Sequence, residues 1–312
     1  MTTQPTPRKP LPIVRLRWVW YSISLVLLAS TVVLIATGGL KLGIDFAGGT
    51  LHKVTFTTTR PDTPTLTTAV DAVVGTATVQ PTGSKDVTLR YANVDNAKRQ
   101  ELLDTLSKKF GKVDELSFDS VGPTIGNELK RKAFYATALV MLGIILYLTY
   151  AFRKVSEPVK SWQYGVLAIV TLLHDVGAVV GVFALLGHLQ GAQVDSLFLV
   201  AVLTTLGYSV HDTIVVFDRT RTNLLRLGSD QFVKAVELAT NQTIGRSVNT
   251  SLTAVISLVA LLVFGGSSLF DFILALLVGV VVGTYSSIFV ASPLLVSWFR
   301  LSERRRLRRM AA

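Results

Sequence analysis

Apolar residues gather along the chain into six long runs, at 18–40, 133–152, 162–187, 196–217, 247–264 and 272–299. A helix needs ~20 mostly apolar residues to cross hydrocarbon, where no water is present to bond the backbone. The pattern therefore predicts six transmembrane helices, the last long enough to tilt or to begin with an interfacial turn. The first run exceeds the apolar segment of a signal peptide and is not followed by a convincing cleavage site, so it reads as a retained anchor. Between the fourth and fifth runs, Gly228 and Ser229 introduce a stretch with Phe232, Val233, Val236 and Ala239 on one face and Lys234 and Glu237 opposite. It reads as an amphipathic helix lying on the membrane surface.

The pattern changes between the first two runs. Strand-like segments at 51–58, 76–80, 87–91 and 115–118 enclose helical spacings at Leu66, Val70, Val73 and Val74 and at Leu102, Leu103, Leu106 and Phe110, with a turn at Pro81-Thr82-Gly83-Ser84. The order β-α-β-β-α-β is ferredoxin-like, so residues 41–132 are expected to form an α+β domain outside the membrane. With both helices on one sheet face, the other face is open to a partner or to solvent.

Charge then orients the bundle. Only 16% of residues are charged and the formal net charge is +11, whereas soluble domains carry roughly 25% charged residues; an ordinary soluble enzyme or nucleic-acid binder is disfavoured. Basic residues cluster beside the runs: Arg8, Lys9, Arg15 and Arg17 before the first, Arg153, Lys154 and Lys160 between the second and third, Arg219, Arg221, Arg226 and Lys234 between the fourth and fifth, and a run from Arg300 to Arg309. Loops 188–195 and 265–271 carry no Lys or Arg. Both termini are thus expected in the cytoplasm, giving a cytoplasmic segment 1–17, an anchor 18–40, the outside domain 41–132, a five-helix remainder 133–299 and a basic tail 300–312. The tail suits topology and membrane lipids better than nucleic acid, with ribosome contact a lesser alternative. No cysteine is present, which removes thiol chemistry and disulfides.

Ionisable residues inside a span are expensive and point to function. Asp212 lies in the cytoplasmic half of the fourth span with Tyr208 and Ser209 a turn earlier, and Arg246 opens the fifth, followed by Asn249 and Thr250 at helical spacing. The two spans are antiparallel, so Asp212 and Arg246 reach similar depth and can pair, either as a proton switch or as a fixed ion pair. Asp175 beside His174 in the third span offers a second protonatable group or a neutral hydrogen-bonded one. His174 and His211 read as hydrogen-bonding neighbours of their aspartates, not metal ligands. The contexts of the aspartates lack the motifs of intramembrane aspartyl proteases. Gly279 and Gly283 begin a small-residue stripe with Ser287 and Ala291 that lets helices approach closely.

Five motifs stand out: Gly43-Ile44-Asp45-Phe46-Ala47-Gly48-Gly49-Thr50, Val121-Gly122-Pro123-Thr124-Ile125-Gly126, Gly207-Tyr208-Ser209-Val210-His211-Asp212-Thr213-Ile214-Val215-Val216-Phe217-Asp218-Arg219, Asn241-Gln242-Thr243-Ile244-Gly245-Arg246-Ser247 and Gly283-Thr284-Tyr285-Ser286-Ser287-Ile288-Phe289-Val290-Ala291-Ser292-Pro293. Together they resemble the SecF family. The resemblance covers nearly the whole chain. It implies a non-enzymatic, RND-related subunit of the bacterial cytoplasmic membrane, half of a bundle completed by SecD, which assists Sec-dependent export of preproteins through SecYEG, with YajC and YidC as further partners. It also implies no cofactor beyond protons as coupling ion, sodium staying open, and assigns the coupling pair to Asp212 and Arg246. Where many relatives have Asn before that aspartate, this chain has His211. Gly48 and Gly49, with Gly122 and Pro123, read as a hinge or docking element or as a turn into the first strand. The competing functions are a passive scaffold and an RND-like exporter of small molecules or lipids.

Overall fold

The computed structural model describes residues 11–82, 84–153, 158–266 and 269–311, with the backbone alone of Arg309 and Ala311. Arg8, Lys9, Gly83, Lys154 and the side chain of Arg309 lie outside the described residues. Two compact units emerge, one comprising Met1–Leu40, Thr137–His188 and Leu197–Ala312, the other Lys41–Ala136 with Leu189–Ser196.

The first unit is helical. Six helical segments are long and apolar enough to cross a membrane: Arg17–Ala36, Pro123–Ala151, Ser161–Gln190, Ser196–Leu227, Ser229–Phe264 and Phe270–Arg308. They contain helices α1 (Arg17–Ala36), α5 (Pro123–Ala151), α6 (Ser161–Gln190), α7 (Ser196–Leu227), α8 (Phe232–Phe264), α9 (Phe270–Ser286) and α10 (Ser292–Ala311). A π-helical turn, Ser287–Ala291, joins the last two. Pro293 follows it, and a proline has no N–H to give the carbonyl four residues back, so the helix widens by one residue there instead of breaking.

Several helices outrun the apolar patterns. α5 begins ten residues before the apolar run, because the Pro123 ring is tolerated at a first helical position and polar residues through Lys132 propagate the helix. The amphipathic stretch at 232–239 is no surface helix. It is the first two turns of α8, with Phe232, Ala235, Val236 and Ala239 fully buried. Phe232, Ala235 and Val236 share one apolar cluster with Phe217, Leu224, Leu295 and Val296, so the protein itself covers the face that seemed destined for lipid. Around the same core, Phe152 stacks on Tyr164 at 5.0 Å and Tyr164 meets Phe217 edge-on at 5.2 Å. α1 approaches α6 through glycines: the Thr31 hydroxyl reaches the Gly177 carbonyl at 3.2 Å, and a methyl on Gly181 would overlap Thr31.

The second unit holds β1 (Lys41–Leu42), α2 (Ile44–Ala47), β2 (Gly49–Phe56), α3 (Thr63–Val74), β3 (Thr78–Thr82), β4 (Asp86–Tyr91), α4 (Asn96–Phe110), β5 (Val113–Val121) and β6 (Gln193–Val194). The four longer strands form an antiparallel sheet in the order β3-β4-β2-β5, which is the ferredoxin-like arrangement read from the sequence. Alternate residues of β2 are buried. Val54 and Phe56 join Val87, Leu89, Leu66, Val70, Leu102 and Leu106 in one core between sheet and helices. Asp62 and Asp95 cap α3 and α4 by accepting from Thr65 N at 3.1 Å and Lys98 N at 2.9 Å, which satisfies N–H groups that a helix start leaves free.

Candidate functional site

The membrane unit contains two buried aspartates with contrasting surroundings. Asp175 of α6 is 5% exposed. Its carboxylate accepts hydrogen bonds from the Ser209 hydroxyl of α7 at 2.5 Å and the Ser286 hydroxyl of α9 at 2.9 Å, and lies 3.0 Å from His174 Nδ1. It joins three helices, and both bonds between helices use serine side chains, so the geometry holds only while those helices stay close. The expected His174 partnership is present. Ser209, by contrast, serves Asp175 and not the aspartate one turn below it.

Asp212 of α7 is also 5% exposed, yet its Oδ2 is buried without a hydrogen-bond partner among the described residues, as is the Ser247 hydroxyl of α8. Ser247, His211 and Arg246 are the groups that act on this carboxylate. No ion pair joins Asp212 to Arg246 among the described residues. Arg246 sits one residue from Ser247 and its side chain faces outward, so the two charges are neighbours that have not closed on each other. His211 is exposed and makes no bond to Asp212 among the described residues, unlike the pair at 174 and 175. A buried acidic oxygen lacking a partner is costly, and each such group calls for an explanation.

Hydroxyls bridge the same layer. Tyr208 Oη donates to Ser251 Oγ at 3.1 Å, and Ser251 in turn bonds Thr284. Ser247, Thr284 and Ser286 stand in motifs read from the sequence but were given no role there, and Ser251 was not singled out; the signal was present as an i,i+4 pair of small polar residues on α8 and another cluster on α9. Asn249 and Thr250, expected beside the pair, are exposed on the outer face of α8 with Arg246, Thr253 and Ser257. Gly279 and Gly283 pack against α7: a methyl on Gly279 would overlap Thr205, and one on Gly283 would come within 2.9 Å of Ser209 Cβ. This is close packing, and it is what brings Ser209 and Ser286 to one carboxylate. Among the described residues no group of three His, Asp or Glu side chains converges as a metal site.

In the other unit, Gly48 and Gly49 have φ values of 75° and 119°, a region that side chains make costly. They also permit close approach, since a Cβ on Gly48 would sit 3.2 Å from Pro123 Cα and one on Gly49 3.0 Å from the Tyr91 carbonyl. Gly126 has equally little room, 3.1 Å from the Phe46 carbonyl. Gly122 is open and Pro123 opens α5. Asp45 Oδ2 accepts from the Ser196 N–H at 2.9 Å and from the Ser196 hydroxyl, while β1 pairs in parallel with β6. The glycine pair is therefore both a turn into β2 and a knot of docked backbone.

Residues 102–301 match the family described as "Protein export membrane protein SecD/SecF, C-terminal", and residues 33–59 match the "SecD/SecF GG Motif". Over 303 residues the chain is 43% identical to the protein translocase subunit SecF of Thermobaculum terrenum, covering 92% of this chain and 93% of that protein. The SecF of Anaerolinea thermophila is 40% identical over 286 residues, covering 90% and 92%. The chain belongs to the SecF family. Its fold is similar to that of the solved SecDF of Thermus thermophilus, a translocon-associated membrane protein, with a TM-score of 0.83 at 32% identity over 95% of this chain. This SecF-family chain spans only 39% of that longer SecDF chain. A SecDF structure in a super-membrane-facing form gives a TM-score of 0.69 at 31% identity, over 99% of this chain and 41% of that one. As a SecF-family member the protein is a multi-pass bacterial membrane protein of the transport class, not an enzyme. The GG-motif match covers the knot around Gly48 and Gly49, and the longer match covers Asp175, Asp212 and Arg246.

Proposed function

We propose that the chain assists Sec-dependent protein export as the partner of SecD, and that proton exchange at Asp212, biased by Arg246, drives the helices through a conformational cycle. The supporting observation is the buried carboxylate of Asp212 on α7, with Ser247 and Arg246 of α8 acting on it and no closed ion pair to Arg246 among the described residues. When Asp212 is charged it attracts Arg246; when it is protonated the attraction is lost and α8 is free to shift against α7. Moving one charge through ~100 mV supplies ~2.3 kcal/mol, enough to shift a two-state equilibrium by about fiftyfold.

SecD is favoured as the partner by the outer face of α8. Arg246, Asn249, Thr250, Thr253 and Ser257 are exposed along one stripe, and such residues are costly against lipid tails. A second membrane subunit covering them would remove that cost. Both termini then lie in the cytoplasm, with the ferredoxin-like domain outside, where it can act on a preprotein leaving SecYEG; YajC and YidC are neighbours in the same assembly. The test is preprotein translocation in proteoliposomes containing SecD, SecYEG and either wild type or Asp212→Asn, with and without an imposed proton gradient, and with a sodium gradient as a separate arm. The gradient is expected to stimulate wild type alone. Equal stimulation of both would return the chain to the role of a passive scaffold.

A further inference from the structure

Where α10 leaves the apolar part of the bundle, two grooves flank it that the coupling reaction does not use. On one side Trp162 and Gln163 of α6 face Trp298, Ser302, Arg305 and Arg306 of α10 around a cavity of about 540 Å³. On the other, Arg17 and Trp18 of α1 face Ser297, Arg300 and Arg304 around about 270 Å³. The chain has four tryptophans. All of them, Trp18, Trp20, Trp162 and Trp298, lie where α1 and α6 begin or where the apolar run of the last span ends. Indole rings favour the headgroup level of a bilayer, which puts the two cavities there.

Their chemistry is that of an amphiphile with an anionic head. The walls are aromatic and apolar: Trp162 meets Trp298 edge-on at 6.1 Å, and the Arg17 guanidinium lies 5.9 Å over the Trp18 ring. The polar rims are cationic, and among the described residues no carboxylate lines either groove, Glu303 of the same helix included. Guanidinium forks match phosphate oxygens in paired hydrogen bonds. A free phosphate would leave the indole walls unused, and an acyl chain alone would leave the five arginines of the two grooves without a counter-charge.

We propose that these two grooves are binding sites for anionic phospholipids of the leaflet at the N- and C-terminal end of the bundle, one on each side of α10. The lipid phosphates lie between the paired arginines and the acyl chains run down past the tryptophans. The sites secure the long terminal helix against α1 and α6. They are independent of proton exchange at Asp212 and stand or fall without it.

The purified full chain in detergent, titrated with phosphatidylglycerol, phosphatidylcholine or inorganic phosphate and read by native mass spectrometry, tests this. Two retained phosphatidylglycerol molecules are expected, with phosphatidylcholine held about tenfold less well and inorganic phosphate not retained. Arg305→Gln with Arg306→Gln removes one bound lipid and Arg300→Gln with Arg304→Gln removes the other, glutamine preserving the helix. Lys108→Gln with Lys109→Gln, which deletes the same charge from α4, leaves both. Equal retention of the two lipids would overturn the proposal. So would equal loss in the α4 control, or preferential retention of an RNA oligonucleotide over phosphatidylglycerol.

Discussion

Asp175 and Asp212 expose the same small fraction of their surface and differ in what surrounds them. Asp175 has three partners on α6, α7 and α9, so its removal leaves the Ser209 hydroxyl and the His174 imidazole buried without that partner, while Ser286 keeps its bond to the Gly283 carbonyl at 3.1 Å. Asp175→Ala is expected to cost about 3 kcal/mol, read as a lower melting midpoint by intrinsic tryptophan fluorescence in detergent, whereas Asp212→Asn leaves the midpoint nearly unchanged. An equal loss at both sites would mean that Asp212 is structural too. The burial cost of a carboxylate made both residues legible in the sequence. Which hydroxyl serves which carboxylate was not, because Ser209 precedes Asp212 by three residues on α7 and only helix packing turns it toward α6. A third site, unsuspected from the sequence, lies in the outer domain. His52 is fully buried between Tyr91 and Glu115, at 2.8 and 2.9 Å, and Arg99 holds Glu115 with both arms of its guanidinium. Burial holds the His52 pKa below its ordinary value against the pull of Glu115, and Arg99 holds Glu115 low as well, while burial pushes Tyr91 up to about 12. Both His52 and Glu115 bind protons more readily unfolded than folded, so their contribution is present above the unfolded histidine pKa of ~6.5 and is lost as pH falls below it, first through His52 and then through Glu115. Hydrogen exchange in β2 and β5, corrected for intrinsic rates, should accelerate between pH 7 and 5, and Glu115→Gln should weaken protection already at pH 7. Protection that does not change with pH in wild type would contradict this.

Between elements, the decisive contacts are glycines. A Cβ on Gly283 meets Ser209 Cβ at 2.9 Å, so α9 must retreat from α7 to admit even a methyl, and the bonds from Ser209 and Ser286 to Asp175 go with it. Gly283→Val is expected to lower stability by about 1–3 kcal/mol. Gly48→Ala adds a left-handed backbone at φ 75° to crowding against Pro123, for about 1–2 kcal/mol. Melting midpoints within a degree of wild type for both would show that the close approaches are slack. The four-residue small-residue stripe announced the first of these contacts, and adjacent glycines announced the second. Helix extents were read less well. Apolar runs mark where a helix lies in hydrocarbon, not where its hydrogen bonds stop, so the polar first turns of α5 and the last turns of α7 were invisible. The face at 232–239 was identified correctly as apolar but assigned to lipid, since periodicity shows that a face needs cover and not what covers it.

At the scale of the whole molecule, six spans and a ferredoxin-like domain were legible because the sequence alternates cleanly between continuous apolar runs and period-2 strands. What could not be read was the outer face of α8, where Arg246, Asn249 and Thr250 project away from the chain's own core; the sequence suggested they would gather around Asp212. Their exposure makes sense if the bundle is one part of a larger one, and this chain spans 39% of the Thermus thermophilus SecDF chain that it resembles. The account therefore requires that ion movement be a property of the assembly with SecD, passing through Asp212. The most direct measurement is proton flux into vesicles loaded with a pH-sensitive dye and carrying the SecD complex of wild type, Asp212→Asn or Asp175→Asn, after an imposed gradient and with equal incorporation verified. Wild type should acidify the lumen, Asp175→Asn should do so whenever it folds, and Asp212→Asn should match vesicles without the complex. Undiminished flux through Asp212→Asn would contradict the account.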